Sequence, residues 1–279
     1  MRLQLLGQSE KLPEPHREFY GQPIVQMPLL VSGKDKEGKV IDVARDPASS
    51  AYVLERRMNA PDDVIEAWQK NYFFTGDGST AGTKGDHLIV LDAQPLRELA
   101  VESELYNELY QGALVLPSGV WKELKAQKEN VLHLTANQAQ EAHGKGYVRK
   151  SGVWTPANKT VAKVWDTLSR GRDLTPYVLL VSENSPRSDS LLNVYFNQTT
   201  RNGKPTMRSL VLSSIDYGSD VGGGGNLDIT YGRLVGVAPE AQAAREKALE
   251  TRVQSALEAG KAFEFNGFLY TPAPLISPK

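Results

Sequence analysis

Thr75-Gly-Asp-Gly-Ser-Thr-Ala-Gly-Thr-Lys-Gly-Asp86 runs directly into His87-Leu-Ile-Val-Leu-Asp92, and the reading of this junction sets the fold. The first part holds Gly76, Gly78, Gly82 and Gly85 and no apolar side chain larger than Ala81, which is the composition of a flexible surface loop. The second part is a short apolar run bounded by polar residues, as expected of a buried strand that leaves the core at Asp92.

Downstream, the pattern alternates. Residues 95–111 read as a helix with the stripe Leu96, Leu99, Tyr106 and Leu109, ended by Gly112. A strand over 113–116 and a helix over 118–129 follow. Thr135 and Gln138 form a capping box that opens a short helix closed by Gly144. Thr155-Pro156 opens another, ended by Gly171.

Beyond it the signal turns to antiparallel β. Residues 177–182 and 191–199 read as strands, and Asn202-Gly203 is a type I′ turn signal leading into 207–215. The tetraglycine 222–225 reads as a flexible spacer before a strand over 227–237. Residues 239–259 carry a long amphipathic helix pattern, and 263–270 a hairpin turned by Asn266-Gly267. The segments 146–156 and 262–272 echo one another (strand, glycine turn, aromatic, Thr-Pro), which ordinary turn chemistry explains.

Upstream, Leu29-Leu30-Val31 and residues 39–43 flank the polar turn 34–38 like a hairpin, and Pro23 and Pro28 place the preceding segment at a sheet edge. Pro61, Asp62 and Asp63 start a helix that buries Val64, Ile65 and Trp68. The expected class is α+β, or mixed α/β: a β-rich N-terminal part, an α/β middle and an antiparallel C-terminal sheet packed by the long helix. A boundary near 171–176 would divide the chain into 1–175 and 176–279, closely apposed or continuous.

Composition narrows the chemistry. The 279 residues are 40% hydrophobic and 23% charged, the balance of a globular chain. The absence of cysteine removes disulfides, thiolate metal sites and cysteine nucleophiles. No secretory leader pattern and no apolar run near 20 residues is present, so the expectation is a soluble, cytoplasmic protein without a membrane.

Four carboxylates are the candidates for catalysis. Asp92 ends a strand, Glu123 lies in the helix after the strand 113–116, and Glu183 and Asp189 follow the apolar run 177–182. Converging strand ends would let Asp92, Glu123 and Asp189 hold Mg²⁺ or Mn²⁺, with Glu183 completing a site that activates water. In this order of elements the chain is similar to PIN-type nucleases, which implies metal-dependent phosphodiester cleavage. It departs from them in placing Glu where they carry Asp, and a β-hairpin where they carry a helix. Gly78-Ser-Thr-Ala-Gly82-Thr-Lys84 resembles a phosphate-cradling loop, but with three residues between its glycines and a strand, not a helix, after it. His16, His87, His133 and His143 are scattered without metal spacing.

The charge is uneven. Lys145, Arg149, Lys150, Lys159, Lys163, Arg170 and Arg172 face only Asp166, a balance of +6 in a chain of net charge −1. Tyr147, Trp154 and Trp165 are interleaved, the composition that single-stranded nucleic acid binding requires. Helical spacing places Lys159, Lys163 and Arg170 on one face and Trp165 on the buried one. The leading expectation is therefore a non-catalytic binding or assembly protein without a cofactor. Its partner would be single-stranded nucleic acid or an acidic protein, or it would be a structural subunit of a homo-oligomer or larger particle. The metal-dependent nuclease is the alternative.

Overall fold

The computed structural model describes residues 16–35, 37–99, 109–238, 263–265 and 268–270. In chain order the elements are β1 (His16–Gly21), α1 (Pro23–Ser32), β2 (Asp46–Pro47), α2 (Ser50–Asn59), α3 (Asp62–Gln69), β3 (Phe73–Ala81) and β4 (His87–Val90). Then come α4 (Gln94–Arg97), β5 (Leu109–Tyr110), β6 (Ala113–Val115), α5 (Ser118–Ala126), β7 (Val131–Leu134) and α6 (Ala136–Ala142). The hairpin β8 (Lys145–Lys150) and β9 (Val153–Pro156) leads into α7 (Lys159–Leu168) and α8 (Thr175–Asn184). The last elements are β10 (Ser190–Tyr195), β11 (Thr206–Leu212), β12 (Val221–Gly225), β13 (Gly232–Val237), and the separate hairpin β14 (Phe263–Phe265) and β15 (Phe268–Tyr270).

Strands β1 to β13 form one mixed sheet whose main path is β1-β13-β3-β11-β12-β10-β8-β9. It takes strands from both sides of residues 171–176. The mixed α+β class is present as expected, and no helix among the described residues is long and apolar enough to cross a membrane.

The glycine-rich stretch is the largest correction. Residues 73–81 are not a loop but the nine-residue strand β3, buried at every position. It pairs with β11 along its length, with β13 at Phe74 and with β4 over Gly78–Ala81. Its polar side chains are satisfied internally, which is why a hydrophilic composition survives burial. Thr75 Oγ1 donates to the Leu210 carbonyl at 3.0 Å, and Ser79 Oγ accepts from Asn197 N at 3.3 Å. Asp77 accepts from Ser50 N at 2.7 Å and Asp92 N at 3.0 Å, so it holds the first turn of α2 and the turn after β4. Complete burial pushes the Asp77 carboxyl up, and the nearby Asp92 adds to the shift.

Other departures have local causes. Of the hairpin expected over 29–43, the first strand is absent because Pro23–Ser32 is helical, while the reversal that follows is present, with Lys34 bridged antiparallel to Val40. Pro23 sits in the first turn, where its missing N–H costs nothing, and Ile24, Met27 and Leu30 form a buried stripe at helical spacing. The helix expected over 95–111 stops at Arg97, and Leu109–Tyr110 is a strand; Tyr106 lies outside the described residues. The apolar run 177–182 belongs to α8, where Tyr177, Val178 and Val181 are buried while Leu179 is exposed. Just before that helix, Asp173 accepts from Thr175 N at 2.9 Å and Thr175 Oγ1 at 2.7 Å, and Pro176 sits in its first turn. The strand expected over 227–237 begins only at Gly232. The helix expected over 239–259 lies outside the described residues.

The tetraglycine is strand β12, between β10 and β11. A Cβ at Gly223 would lie 2.5 Å from Ser79 Oγ and 2.6 Å from Asn197 N, and one at Gly225 would lie 2.7 Å from the Ser209 carbonyl. At Gly222 the nearest atoms are 3.9 Å away, and at Gly224 nothing lies within 4 Å. Two of the four glycines are thus demanded by packing and two are not. Gly223→Ala and Gly225→Ala should each destabilise by about 1–3 kcal/mol in urea unfolding, while Gly222→Ala and Gly224→Ala should be neutral or stabilising by about 0.5 kcal/mol. Four equal losses would contradict this packing.

Candidate binding groove

The two faces of the sheet are covered unequally. Helices α2, α3, α7 and α8 pack on one face over the main core, which includes Val53, Trp68, Phe73, Trp165, Tyr177 and Leu212. The other face is covered in two places: by α1 over β1 and β13, where Phe19, Met27, Leu30, Phe74 and Leu234 form a small cluster, and by α4 and α5 around β4, where Leu88, Val90, Leu96, Leu114, Leu124 and Met207 form a second.

Strand register defines what lies beside the first cluster. Phe19 faces Leu234, Leu234 faces Phe74, Phe74 faces Val211, Val211 faces Gly222 and Gly222 faces Tyr195. The row therefore leaves the cover of α1 at Val211, crosses a residue without a side chain and ends on Tyr195, which is 40% exposed. Over this stretch opens a groove of about 400 Å³. Gly222, Gly224 and Gly225 line it, Tyr72 and Phe74 stand on the β3 side, and Asn226, Ile229 and Tyr231, the last 53% exposed, complete the lining.

The wall is fixed from behind. Tyr72 Oη donates to the Tyr231 carbonyl, which ties the two tyrosines together. The Arg233 guanidinium lies 5.9 Å from the Tyr72 ring centre while its Nε pairs with Glu18 Oε1 at 2.8 Å. Burial raises the Glu18 carboxyl, and the Arg233 charge offsets part of that rise. Ser213 and Asp220 also line the groove. Asp220 is occupied: it accepts from Arg187 Nη1 at 2.6 Å, Asn193 N at 2.8 Å and Asn193 Nδ2 at 3.0 Å. Ser213 Oγ is buried and has no hydrogen-bond partner among the described residues.

The residues singled out in the sequence fall elsewhere. Asp92 lies in the turn after β4 at φ 47°, and its carboxylate pairs with Arg170 Nη2 at 2.5 Å, so one acidic and one basic candidate neutralise each other. Glu123 is exposed on α5, Glu183 is exposed on α8 and not after a strand, and Asp189 is exposed just before β10. Among the described residues no three acidic or histidine side chains gather as a metal site. The topology accounts for this: β4 runs antiparallel to both β3 and β7, so strand ends do not converge on one edge. Nor is there a phosphate-cradling loop over 78–84, whose first half is β3. Where that stretch ends, Asp86 meets Lys125 Nζ at 2.7 Å and His133 Nε2 at 3.4 Å. Burial alone would raise the Asp86 carboxyl, but the hydrogen bond and charge of Lys125, helped by His133, hold it below the usual carboxylate range.

The basic segment is outward-facing. Lys145, Arg149 and Lys150 are exposed on β8, beside the sheet's edge strand β9, and Lys159 and Lys163 are exposed on α7, which packs against that hairpin. None of these five has a carboxylate partner among the described residues. Arg172 is half-buried and reaches the Ala51 carbonyl at 3.4 Å. The aromatics do not accompany the cations. Trp165 is fully buried and donates from Nε1 to the Leu192 carbonyl at 2.7 Å, as its helical position predicts. Tyr147 and Trp154 are half-buried against the main core, and burial, with Asp173 and Asp166, pushes the Tyr147 hydroxyl up to about 12.

Sequence reasoning missed the groove residues Tyr72, Tyr195, Tyr231 and Ser213. They are far apart in the chain, and only the pairing of β3, β10, β11 and β12 assembles them. The one local signal was the tetraglycine, which reads equally as a spacer.

Neither a protein family nor a curated protein matches this sequence. A solved structure does: that described as "Accommodation of massive sequence variation in Nanoarchaeota by the C-type lectin fold", with a TM-score of 0.53, 12% identity, and coverage of 82% of this chain and 100% of that one. The likeness is one of fold. It agrees with a mixed α+β body built on a mixed sheet, and at that identity it carries no residue roles.

Proposed function

We propose that this chain is a non-catalytic binding protein that recognises its ligand in the tyrosine-walled groove over β12. The observation that carries this reading is the pair Gly222 and Gly224. Packing does not require glycine there, yet the absence of their side chains creates the groove floor. A groove of about 400 Å³ is within the ordinary size range of ligand sites, and tyrosine gives rigid amphipathic contact at low entropic cost. The fold neighbour is described as accommodating massive sequence variation. Carried to this chain, that property suits a face whose outer positions are not needed for folding.

Glycan and peptide arrays probed with the purified chain and with Gly222→Phe test this reading. The added ring fills the groove where its Cβ meets nothing closer than 3.9 Å. Array binding should fall at least about tenfold, or about 1.4 kcal/mol, with an unchanged melting temperature. Binding that survives the substitution, or no binding by the wild-type chain on any array, overturns it.

The five exposed cations of β8 and α7 favour a second reading, a polyanion surface for single-stranded nucleic acid. With Trp165 inside and Tyr147 and Trp154 half-buried against the core, contact would run mainly through phosphate, so affinity should fall with salt at a log–log slope of about −3.5 for five neutralised phosphates. Arg149→Glu, Lys159→Glu and Lys163→Glu together should abolish retention on an oligonucleotide column. Retention unaltered by the triple change removes this surface from consideration.

A further inference from the structure

The hairpin of β8 and β9 ends the main path of the sheet, so the outer side of β9 is an open edge among the described residues. We propose that this edge takes an extended acidic segment of a partner protein as an added strand, held by the backbone of Trp154 and Pro156 and by the cations around them. The inference is independent of the groove over β12.

Parity decides which backbone groups are free. Ser151 and Gly152, at φ 49° and 83°, make a two-residue turn of the I′ kind, so Lys150 and Val153 exchange hydrogen bonds across it. Pairs then alternate: Arg149 with Trp154 is unbonded, Val148 with Thr155 is bonded, and Tyr147 with Pro156 is unbonded. One step further, Ala157 N donates to the Gly146 carbonyl at 2.9 Å, as that alternation requires. The N–H and carbonyl of Trp154 and the carbonyl of Pro156 therefore point away from β8. Among the described residues no turn, loop or side chain bonds to them. The Trp154 ring packs against the main core, which holds this stretch of backbone in place while its polar edge stays open.

Such an edge suits a polypeptide in β conformation. The residue set opposite Trp154 would exchange two hydrogen bonds with it, and the residue two positions on would donate to the Pro156 carbonyl. The sugar–phosphate backbone of DNA offers acceptors only, and two of the three free groups are themselves acceptors. The edge thus favours a peptide over the nucleic acid that the same five cations could hold.

Charge selects the kind of peptide. Lys145, Arg149, Lys150, Lys159 and Lys163 are exposed, and Glu141, Asp166 and Asp189 nearby leave the surface net basic. Arg149 stands on the face of Trp154 and Lys150 on the face of Val153, so cations flank both sides of an added strand. That strand would lie about 9.5 Å from β8, two strand spacings, within reach of these long side chains. Val153, 63% exposed, offers it a β-branched neighbour. A second copy of the chain is the competing occupant, but pairing two β9 edges would bring both sets of cations together. Basic side chains and a proline on a short edge strand keep like copies apart, while an acidic strand meets the same charge with the opposite sign.

Fluorescence anisotropy with the purified chain and an acetylated, amidated heptapeptide of alternating valine and glutamate tests the proposal. The peptide should bind in the micromolar range, and its valine–lysine counterpart should not bind. N-methylation of the glutamates should weaken binding at least about fivefold, whereas N-methylation of the valines should not, because only one set of amides faces the edge. Arg149→Glu with Lys150→Glu should weaken the peptide at least about tenfold at an unchanged melting temperature, since both side chains are exposed. In hydrogen exchange, the Trp154 amide should be fast in the free chain and slow in the complex, with Val153 and Thr155 slow in both.

Both methylated peptides binding like the parent, or a Trp154 amide that stays fast in the complex, reduces the site to charge alone and overturns the added strand, as does a parent peptide that does not bind. Oligothymidylate that displaces the peptide at lower concentration assigns the surface to nucleic acid instead. A dimer in sedimentation that the peptide dissociates assigns the edge to a second copy.

Discussion

Close approach of backbones at side-chain-poor positions is the constraint on which the rest of the structure depends. In β3 a Cβ at Gly76 would lie 3.1 Å from Pro47 Cβ, and one at Gly78 would lie 3.1 Å from Ala93 Cβ and 3.2 Å from Met207 Sδ. β12 repeats the device, with Gly223 set against Ser79 of β3 itself. Where two such strands come this near, neither can carry bulk on the inner side, and hydroxyl and carboxylate groups must find partners within the layer. Thr75, Asp77 and Ser79 do so. The same economy of side chains that lets β12 enter the sheet leaves Gly222 and Gly224 open to solvent as a groove floor. Fold and candidate site therefore share one physical origin.

The helical layer on the opposite face is locked by a buried cation. Arg57 of α2 is fully buried and donates to the Trp68 carbonyl at 3.0 Å, the Asn71 carbonyl at 2.9 Å, Tyr177 Oη at 3.0 Å and Ser219 Oγ at 2.8 Å. One side chain thus joins α2, the end of α3, α8 and the turn that feeds β12. The planar guanidinium offers five donors in a fixed fork, so it can satisfy four acceptors in three directions where a lysine could not. That fixes the start of β12 from the helical side while α1 holds β1 and β13 from the other.

What could be read in the sequence was what is decided within a few residues. Thr135 and Gln138 do form the reciprocal cap of α6, and Asn202 and Gly203 do turn at positive φ, 47° and 74°. The helix after Pro61, the strand starting at His87, the hairpin at 263–270 and the burial of Trp165 also follow from local chemistry. What could not be read was decided by distant partners. β3 and β12 look like loops because glycine and hydroxyl residues gain strand character only when other strands press on both sides. Residues 177–182 are as apolar as a strand, and the turn at Asp173–Thr175, the proline in the first helical turn and the facing core make them a helix. The groove was least legible of all, since Tyr72, Tyr195, Ser213 and Tyr231 meet only after the whole sheet has formed.

Amide hydrogen exchange across β3 and β12 tests this account most directly. If both glycine-bearing strands are interior, the amides of Ser79, Thr80 and Ala81 and of Val221 and Gly222 exchange only by opening near the global unfolding free energy, as core strands do. Exchange at those positions as fast as in an unstructured loop would contradict the account, and with it the groove.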